Sequence, residues 1–531
     1  MSMLVPARSP QAEGSASAFP PSPDHFRGLF HLREADRSPF AGASGILYAL
    51  PDAVAVPADA EDVCTLVRWA ADSGTPLVPR GAGTGMPGGN VGRGVLVDLV
   101  PGLCHLYPVD AAARRVRIQP GITLGTLNCA CAGYGLHFPV DPSSAERATL
   151  GGMLANNSAG AHSVRYGATR AWTEALDVVL ADGTTATARR GQPPEHPRLR
   201  SILAGIDRVL LPVRERILAE WPRVRKNSSG YALCEYLRSG DAVDLLVGSE
   251  GTLALIVGAE LRLAPTPACR GLALLEFTTL EAAGAAVESL LPLRPSTCEI
   301  LDRTFLDLVR DAGADPGYPL RPGLEAILLV EMEADSAAEV AEALQRVAAA
   351  AAGLADRISL ASDLEQQARF WKVRHAASPL IAARTDGRVS MQFIEDGVVP
   401  VSRLPDYILA LRRTLARHDT PAVIFGHAGD GNLHVNPLVD VRAAGWRSTV
   451  ERILYEITDV IAELGGTMAG EHGDGRLRAP LLDAIWGAEM VAHFRAVKTA
   501  WDPTGIFNPG AILPLPGQQP LDALRTFPNG V

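Results

Sequence analysis

A segment with five glycines in twelve residues, 79–90, most constrains what this chain of 531 residues can fold into. It follows a short apolar run typical of a strand, so the chain turns there on backbone that glycine adopts most easily. Pro87 and Gly88 would interrupt a helix, which excludes the dinucleotide-binding turn, and no Lys-Ser/Thr pair follows to form a P-loop. Successive amides of such a loop can bind phosphate oxygens, with a plain tight turn as an alternative of equal weight.

Two further polar, glycine-rich segments lie in the same half of the chain. Residues 141–167 are dense in hydroxyl, amide and small side chains, and residues 247–253 read Val-Gly-Ser-Glu-Gly-Thr-Leu between two apolar runs. Such groups hydrogen-bond a polar, extended ligand, and a bare loop is the alternative for each segment alone. Three such segments in one region favour a large cofactor.

Charge and cysteine content exclude some classes of protein. With 49 basic and 59 acidic residues and a formal net charge of −10, the chain has no Lys/Arg run of the kind that binds nucleic acid. Its seven cysteines are scattered and include no Cys-x-x-Cys pair, which favours reduced thiols and a cytoplasmic location. No stretch reaches the roughly 18 apolar residues that span a bilayer. Peripheral attachment at the inner face of the membrane stays open.

The length and the apolar periodicity predict an α+β chain of two or three packed units. The sequence Ala-Pro-Thr-Pro at 264–267 breaks the first pattern, and a second domain is expected after it. The expected strands are 77–79, 94–99, 116–119, 175–180, 245–248, 253–263, 272–277 and 326–331. The expected helices are 60–73, 200–221, 280–290, 336–352, 447–464 and 488–501.

Two motifs in the second half concentrate potential metal ligands. Residues 426–436 read Gly-His-Ala-Gly-Asp-Gly-Asn-Leu-His-Val-Asn, and residues 470–475 read Gly-Glu-His-Gly-Asp-Gly. Two imidazoles, His427 and His434, with the carboxylate of Glu471 form a ligand set suited to Zn or Mn with positions open for substrate. His472 remains free to act as a base. The alternative, histidines that only hydrogen-bond backbone in a turn, is weaker for the joint pattern than for any single histidine.

These motifs resemble a known family. The Arg-Gly-Ala-Gly-Thr-Gly loop, the Pro-Ser-Ser to Arg-Tyr-Gly block and the Val-Gly-Ser-Glu-Gly-Thr-Leu segment are similar to the FAD domain of the vanillyl-alcohol oxidase / p-cresol methylhydroxylase superfamily. The two histidine motifs and residues 501–510, Trp-Asp-Pro-Thr-Gly-Ile-Phe-Asn-Pro-Gly, resemble the FAD-linked D-2-hydroxy-acid dehydrogenases, which include D-lactate, D-2-hydroxyglutarate and glycolate dehydrogenases. The resemblance extends from about residue 40 to residue 515.

The resemblance implies the architecture. An α+β FAD-binding domain of two subdomains precedes an α+β substrate (cap) domain, and a C-terminal helical segment returns to the FAD domain. We expect non-covalent FAD, because the first glycine loop lacks the histidine that covalent members place there. The expected boundaries are 1–40 for a flexible tail, 41–265 for the FAD domain, 266–470 for the cap domain with the metal site, and 471–531 for the segment that completes the active site.

The resemblance also implies the roles of individual residues. The expected Zn or Mn ligands are His427, His434 and Glu471, and the expected base is His472. The residues expected to contact substrate are Arg374, Asn436 and Ser378. The residues expected to bind FAD are Arg80, Gly81, Ala82, Gly83, Thr84, Gly85, Gly88, Asn90, Pro142, Ser143, Ser144, Thr149, Gly151, Gly152, Asn156, Ser158, Ser163, Tyr166, Gly167, Glu250, Gly251, Thr252, Ile256 and Asn508.

The implied reaction is oxidation of a D-2-hydroxy acid to the 2-oxo acid. The metal would orient the substrate and lower the pKa of its 2-hydroxyl, His472 would take the proton, and hydride would pass to the flavin. Arg374 can bind a carboxylate through two hydrogen bonds, with an exposed helix charge as the alternative. Dicarboxylate-using members place a Lys before a Tyr-Asp strand, whereas this chain has Gln392 and no Lys there, which argues against D-2-hydroxyglutarate.

The electron acceptor is expected to be a separate partner, because the chain has no cysteine cluster for an iron–sulfur centre. An electron-transfer flavoprotein, an iron–sulfur protein, a quinone and a cytochrome all stay open, and a homodimer is compatible with the sequence. Two other enzymes are alternatives: the flavin subunit of a glycolate-oxidising complex, and a metal-independent FAD alcohol or sugar oxidase. A non-catalytic flavin-binding subunit is the third alternative.

Overall fold

The first sheet is built from four short strands. The computed structural model describes residues 19–313, 317–376, 380 and 387–527. The strands are β1 (Leu29–His31), β2 (Ala53–Val56), β3 (Leu77–Arg80) and β4 (Val95–Asp98), in the order β1-β2-β4-β3. Strands β2, β4 and β3 are parallel, and β1 is antiparallel to β2. This sheet therefore begins at residue 29, inside the stretch that the sequence predicts to be a tail.

The helix Ala60–Ser73 connects two strands of this sheet and matches its predicted bounds. It begins where the Asp59 side chain accepts hydrogen bonds from the amides of Glu61 and Asp62, and it ends at Gly74, whose φ is +67°. Its buried face, including Val63, packs on the sheet. The amphipathic pattern of this segment was sufficient to locate it because both caps are local.

A second, antiparallel sheet completes the first domain. Its order is β5 (Arg115–Ile118), β9 (Leu255–Arg262), β7 (Thr173–Val179) and β8 (Thr185–Arg189). A two-stranded sheet pairs β6 (Leu136–His137) with β10 (Ala264–Pro265). The other α-helices described in this domain are Glu34–Arg37, Leu124–Ala132, Leu150–Asn156, Ser163–Tyr166, Pro197–Leu210, Arg214–Glu220, Leu233–Ser239 and Ala242–Leu246.

Two predicted elements of this domain differ from the structure. The expected strand 245–248 is wrong, since Ala242–Leu246 is a helix in which every residue is buried. A short, fully buried apolar run does not distinguish a strand from a helix. The expected helix 200–221 is interrupted at Pro212, so that Pro197–Leu210 and Arg214–Glu220 are separate helices joined by a 3-10 turn.

The second domain is organised on a seven-stranded sheet in which all pairings are antiparallel. Its order is β14 (Arg357–Ala361), β11 (Cys269–Phe277), β13 (Ala326–Ala334), β12 (Thr297–Asp302), β16 (Ala422–His427), β17 (Asn432–Asp440) and β15 (Arg388–Ser390). The helices that cover it are Leu280–Leu290, Arg303–Asp311, Ala337–Ala351, Leu364–His375, Leu404–Arg417 and Trp446–Glu463.

The C-terminal segment returns to the first domain. Helices Gly475–Arg478 and Leu482–Trp501 follow the second histidine motif, and the longer one is kinked at Gly487. Trp501 is fully buried in the core of the first domain. Residues 506–508 then pair with β3, where the amide of Leu77 donates to Ile506 at 2.8 Å. Among the described residues, no helix is long and apolar enough to cross a membrane.

Candidate active site

One cavity of about 740 Å³ lies between the glycine-rich segments of the first domain and the sheet of the second. Its volume falls within the roughly 300–1,000 Å³ that is usual for small-molecule and cofactor sites. It brings together most of the residues expected to bind FAD. Those that line it are Arg80, Gly81, Ala82, Gly83, Thr84, Gly85, Asn90, Pro142, Ser143, Ser144, Thr149, Gly151, Gly152, Asn156, Ser158, Glu250, Gly251 and Ile256.

The loop after β3 has the features of an anion site. Within the described part of the chain, the backbone amides of residues 81–86 donate no hydrogen bond to another protein group. Gly83 has a φ of +74°, the left-handed conformation that turns successive amides toward one side. These residues line the cavity, so the orphaned amides suit a pyrophosphate.

Six of the residues expected to bind FAD do not line the cavity and instead support its walls. They are Gly88, Ser163, Tyr166, Gly167, Thr252 and Asn508. Ser163 Oγ lies 2.6 Å from both Asp430 Oδ2 and the Gly160 carbonyl, and the Tyr166 hydroxyl donates to Glu333 at 2.5 Å. The polar side-chain atoms of Ser163 and Tyr166 are thus used in contacts between segments of the protein, and direct contact of these six residues with FAD stays a prediction.

Glu250 connects the first domain to the second histidine motif. Its buried carboxylate accepts hydrogen bonds from the amide of Asp474 at 2.7 Å and from that of Gly475 at 3.0 Å. Burial raises the pKa of this carboxyl group to about 8. Glu250 thus holds the glycine-rich turn that follows His472.

The three expected metal ligands converge. His427 Nε2 and His434 Nε2 are 3.1 Å apart, and Glu471 Oε1 is 3.5 Å from the first and 3.3 Å from the second. Donor atoms at about 2.0–2.1 Å from one tetrahedral ion are separated by roughly 3.3–3.5 Å, so these three atoms fit a common ion.

The other ring nitrogen of each ligand histidine faces an acceptor. His427 Nδ1 contacts a carboxylate oxygen of Glu299, and His434 Nδ1 lies 3.1 Å from the carbonyl of Glu395. Each Nδ1 therefore carries a proton, which in the neutral imidazole leaves a lone pair on Nε2. Two lone pairs and a carboxylate oxygen then face one point, and a cation satisfies all three. The residues present therefore fit a divalent metal.

His472 lies beside this cluster and is held by acidic groups. Its Nδ1 is 2.8 Å from Glu395 Oε2, and its amide donates to Asp396 Oδ2 at 2.9 Å. Burial lowers the pKa of His472, but the carboxylates of Glu395 and Asp396 outweigh that effect and raise it to about 9. A dication next to the ring would oppose this rise by repulsion. From the first domain, the Asn156 amide donates to the His472 carbonyl at 3.0 Å.

Arg374 also lines the cavity. Its Nε donates to Glu299 Oε2 at 2.9 Å, and its guanidinium lies 4.3 Å from the ring centroid of Phe425. The side chain is only 16% exposed, so the alternative of an exposed helix charge is wrong. Asn436 lines the same cavity, as does Gln392. Ser378 lies outside the described residues.

Comparison with known proteins follows the same division of the chain. Residues 51–189 match the family described as "FAD binding domain", and residues 266–512 match "FAD linked oxidases, C-terminal domain". The chain belongs to the FAD-linked oxidases. It is an oxidoreductase that binds FAD, as the sequence predicts.

Relatives of this FAD-linked oxidase carry several names. The chain is 29% identical to a glycolate oxidase subunit GlcD of Bacillus subtilis (strain 168) over 87% of its length and 89% of that protein. It is 29% identical to a D-lactate dehydrogenase of Archaeoglobus fulgidus, over 87% of its own length and 91% of that protein. It is 30% identical to a D-2-hydroxyglutarate dehydrogenase of Pseudomonas putida over 92% of its own length, but it spans only 50% of that relative.

Solved structures confirm the fold. The chain aligns with 4-ethylphenol oxidase from Gulosibacter chungangensis at a TM-score of 0.64 and 17% identity, over 91% of this chain and 94% of that one. It aligns with alkyldihydroxyacetonephosphate synthase at a TM-score of 0.62 and 16% identity, over 90% and 83%. The expected fold of the vanillyl-alcohol oxidase type is therefore confirmed.

Four charged residues of this FAD-linked oxidase site were missed as site residues from the sequence. They are Lys226, Glu299, Glu395 and Arg478. Glu299 carried a signal, since a carboxylate flanked by Cys298 and Ile300 in a buried strand requires a buried partner. Burial raises the pKa of Glu299, but His427 and Arg374 lower it to about 2.

Proposed function

We propose that this FAD-linked oxidoreductase converts a small D-2-hydroxy acid to the 2-oxo acid, with non-covalent FAD and a Zn or Mn ion. The observation that carries the proposal is the convergence of His427, His434 and Glu471 with His472 in the cavity that the FAD-type loops also line. The names of the relatives, which include D-lactate dehydrogenase and glycolate oxidase subunit, support the same class of substrate.

The two bound groups would supply chemistry that side chains lack. When bound, FAD would accept two electrons with the hydrogen of the substrate C2. When bound, the metal would polarise the 2-hydroxyl and one carboxylate oxygen.

The protein's own residues orient the substrate and move its proton. His472 takes the proton of the 2-hydroxyl, and Glu395 holds the ring through Nδ1 so that Nε2 is the atom that acts. Arg374 binds the substrate carboxylate through its planar guanidinium, while Glu299 fixes the direction of that side chain. The access of water to the reacting atoms is limited, because His427 and Glu471 are buried.

The substrate side chain is proposed to be small and uncharged. Gln392 lines the cavity where dicarboxylate-using relatives are expected to carry a Lys. Trp371 and His375, which also line it, stack with ring centroids 6.2 Å apart and form an aromatic wall. A second carboxylate would gain no lysine partner at Gln392.

A role as the flavin subunit of a glycolate-oxidising complex is the second candidate. The chain covers 89% of the Bacillus subtilis relative named glycolate oxidase subunit GlcD. In that case a separate protein carries the electrons onward. Co-purification of the tagged chain from its own organism, followed by identification of bound proteins, tests for an obligate partner.

The test is anaerobic bleaching of the flavin absorbance by D-lactate, L-lactate, glycolate and D-2-hydroxyglutarate, before and after EDTA treatment. We expect bleaching by D-lactate or glycolate, its loss after EDTA, and its recovery with Zn²⁺ or Mn²⁺. Acid precipitation should release FAD into the supernatant if the flavin is not covalently linked. Bleaching that survives exhaustive chelation would contradict the metal role and favour a metal-independent FAD alcohol or sugar oxidase.

A further inference from the structure

Lys226, a buried lysine of the first domain, contacts the proposed metal ligand Glu471 on the side away from the two ligand histidines. The side chain of Lys226 is 2% exposed, and its Nζ lies 2.5 Å from Glu471 Oε2. The same Nζ donates to Asn432 Oδ1 at 3.2 Å. Lys226 therefore connects the first domain with the carboxylate of Glu471 and with the start of β17.

The two oxygens of Glu471 have different neighbours. Oε1 faces the Nε2 atoms of His427 and His434, at 3.5 and 3.3 Å. Oε2 faces Lys226. An ion at the shared point of the histidine nitrogens would meet one oxygen only, because the other oxygen is engaged by a cation.

Neighbouring contacts fix the position of Lys226. Residues 226–230 run beside residues 467–474, the turn that carries Glu471 and His472. The amide of Ser228 donates to the Ala469 carbonyl at 2.8 Å, and the amide of Gly230 donates to Asp474 Oδ2 at 2.7 Å. The segment that follows the lysine is thus anchored to residues on either side of Glu471, unlike a surface ion pair formed by two mobile side chains.

We propose that Lys226 is a positioning residue of the metal centre. It holds Glu471 as a ligand through one oxygen and neutralises the outer oxygen, so that the carboxylate is oriented before the ion arrives. The ligand set of the second domain is completed only when residues 226–230 of the first domain dock against it. This inference rests on the metal ion of the proposed function.

The rival explanation is an ion pair that stabilises the fold without acting on the metal. Replacing Lys226 would lower thermal stability under both explanations, so a stability measurement alone does not distinguish between them. Metal affinity does, because only a positioning role predicts weaker binding of the ion. Lys498 provides a matched control: its Nζ contacts Asp502 Oδ2 at 2.6 Å and the Phe507 carbonyl at 2.7 Å, within the first domain and its C-terminal segment.

The experiment is titration of EDTA-treated, FAD-loaded protein with Mn²⁺, with free Mn²⁺ measured by electron paramagnetic resonance. We expect Lys226→Met to bind Mn²⁺ about 10–100-fold more weakly than the wild type, as is usual when a partner of a ligand is removed. Lys226→Gln keeps a neutral hydrogen-bond donor, and its Mn²⁺ affinity should lie between those of the wild type and Lys226→Met. Lys498→Met should bind Mn²⁺ as the wild type does, and all three should retain FAD.

Wild-type affinity in both Lys226 variants would overturn the inference while leaving the proposed function intact. Absence of Mn²⁺ and Zn²⁺ binding by the wild type would instead remove the metal from the proposed function, and this inference with it. Should the Lys226 variants not fold, a crystal structure of the Mn²⁺-loaded wild type decides. One Glu471 oxygen on the ion and the other on Lys226 is expected, and two oxygens on the ion would contradict the proposal.

Discussion

At the scale of single residues, the histidines of the site differ in the group that their Nδ1 atom contacts. Glu299 and the Glu395 carbonyl orient His427 and His434 through Nδ1, which directs their Nε2 atoms to one point. His472 is oriented through Nδ1 by the Glu395 carboxylate, and its Nε2 lies 3.6 Å from Glu471 Oε1, beside the three donor atoms that converge. We propose that two of these three neighbouring imidazoles bind the metal and that the third acts as the base.

Replacing His472 tests this division. We expect His472→Gln to retain FAD and metal but to reduce the rate of flavin reduction by about 10²–10⁴-fold, the usual contribution of a general base. Stopped-flow absorbance measures that rate. His418→Gln is the control, since His418 pairs with Glu456 in the second domain at 2.9 Å and does not line the cavity. An unchanged rate in His472→Gln would assign the proton transfer to another group.

Replacing Arg374 tests carboxylate binding. We expect Arg374→Met to raise KM for the 2-hydroxy acid at least about 10-fold, because a charge-assisted bidentate contact is lost. Arg374→Lys should restore only part of the affinity for substrate, since an ammonium group lacks the planar pair of N–H donors of a guanidinium. Steady-state kinetics with metal and FAD contents measured in parallel separates this effect from a disturbance of Glu299. A wild-type KM in Arg374→Met would exclude it as the carboxylate partner.

At the scale of elements, the loop after β3 combines an unusual backbone with unpartnered amides. Gly83 has a φ of +74°, and a Cβ there would lie 2.5 Å from the Arg80 guanidinium. That guanidinium is itself held by the carbonyls of Phe40 and Gly42, at 3.0 and 2.9 Å. The shape of the loop therefore depends on the segment between β1 and β2 as well as on its own glycines.

We expect Gly83→Ala to weaken FAD binding, because the Cβ displaces either the loop or Arg80. Gly74→Ala is the matched control: its φ is +67°, but a Cβ there meets nothing within 4 Å. Both variants bear the conformational cost of a left-handed alanine, on the order of 1 kcal/mol. Titration of each apoprotein with FAD should give a weaker affinity for Gly83→Ala than for Gly74→Ala. Equal FAD affinities in the two variants would contradict a direct role of this loop.

At the scale of the whole molecule, contacts between the two domains include a partly buried histidine, His162. His162 Nδ1 lies 2.6 Å from Asp141 Oδ2 in the first domain, and its Nε2 lies 2.9 Å from Glu331 Oε1 on β13. Burial lowers the pKa of His162, but the hydrogen bonds to Asp141 and Glu331 outweigh that effect and raise it to about 10. The charged imidazole therefore bridges the domains at neutral pH.

This shift predicts a pH-dependent stability. A pKa raised from 6.5 to about 10 contributes stability that is complete below about 6.5 and is lost as pH rises toward 10. The difference in Tm between wild type and His162→Gln should therefore shrink across this range in thermal unfolding scans. Tyr166→Phe, which removes the hydrogen bond to Glu333 across the same boundary, should show a difference that is nearly constant with pH. A constant difference for His162→Gln would mean that its charge does not contribute.

The sequence by itself determined the features whose causes are local. The helix Ala60–Ser73, the glycine loop and the pairing of His434 with Asn436 on one face of β17 follow from periodicity, caps and glycine spacing within a few residues. The candidate metal ligands were also recognisable, because histidines are rare in this chain and the neighbouring glycines leave room for a ligand. Local information failed at 245–248, because a short, buried apolar run does not distinguish a helix from a strand.

Only the tertiary structure decided which charged groups meet. Glu250 and the amide of Asp474 are 224 residues apart in the chain, and Asn156 and the carbonyl of His472 are 316 apart. The contact of Lys226 with Glu471 joins the two domains in the same way. A buried charge is stable only beside its partner, and burial is a property of the packed domains rather than of any segment. The sequence therefore specifies which residues can bind a metal, and packing specifies which residues hold them in place.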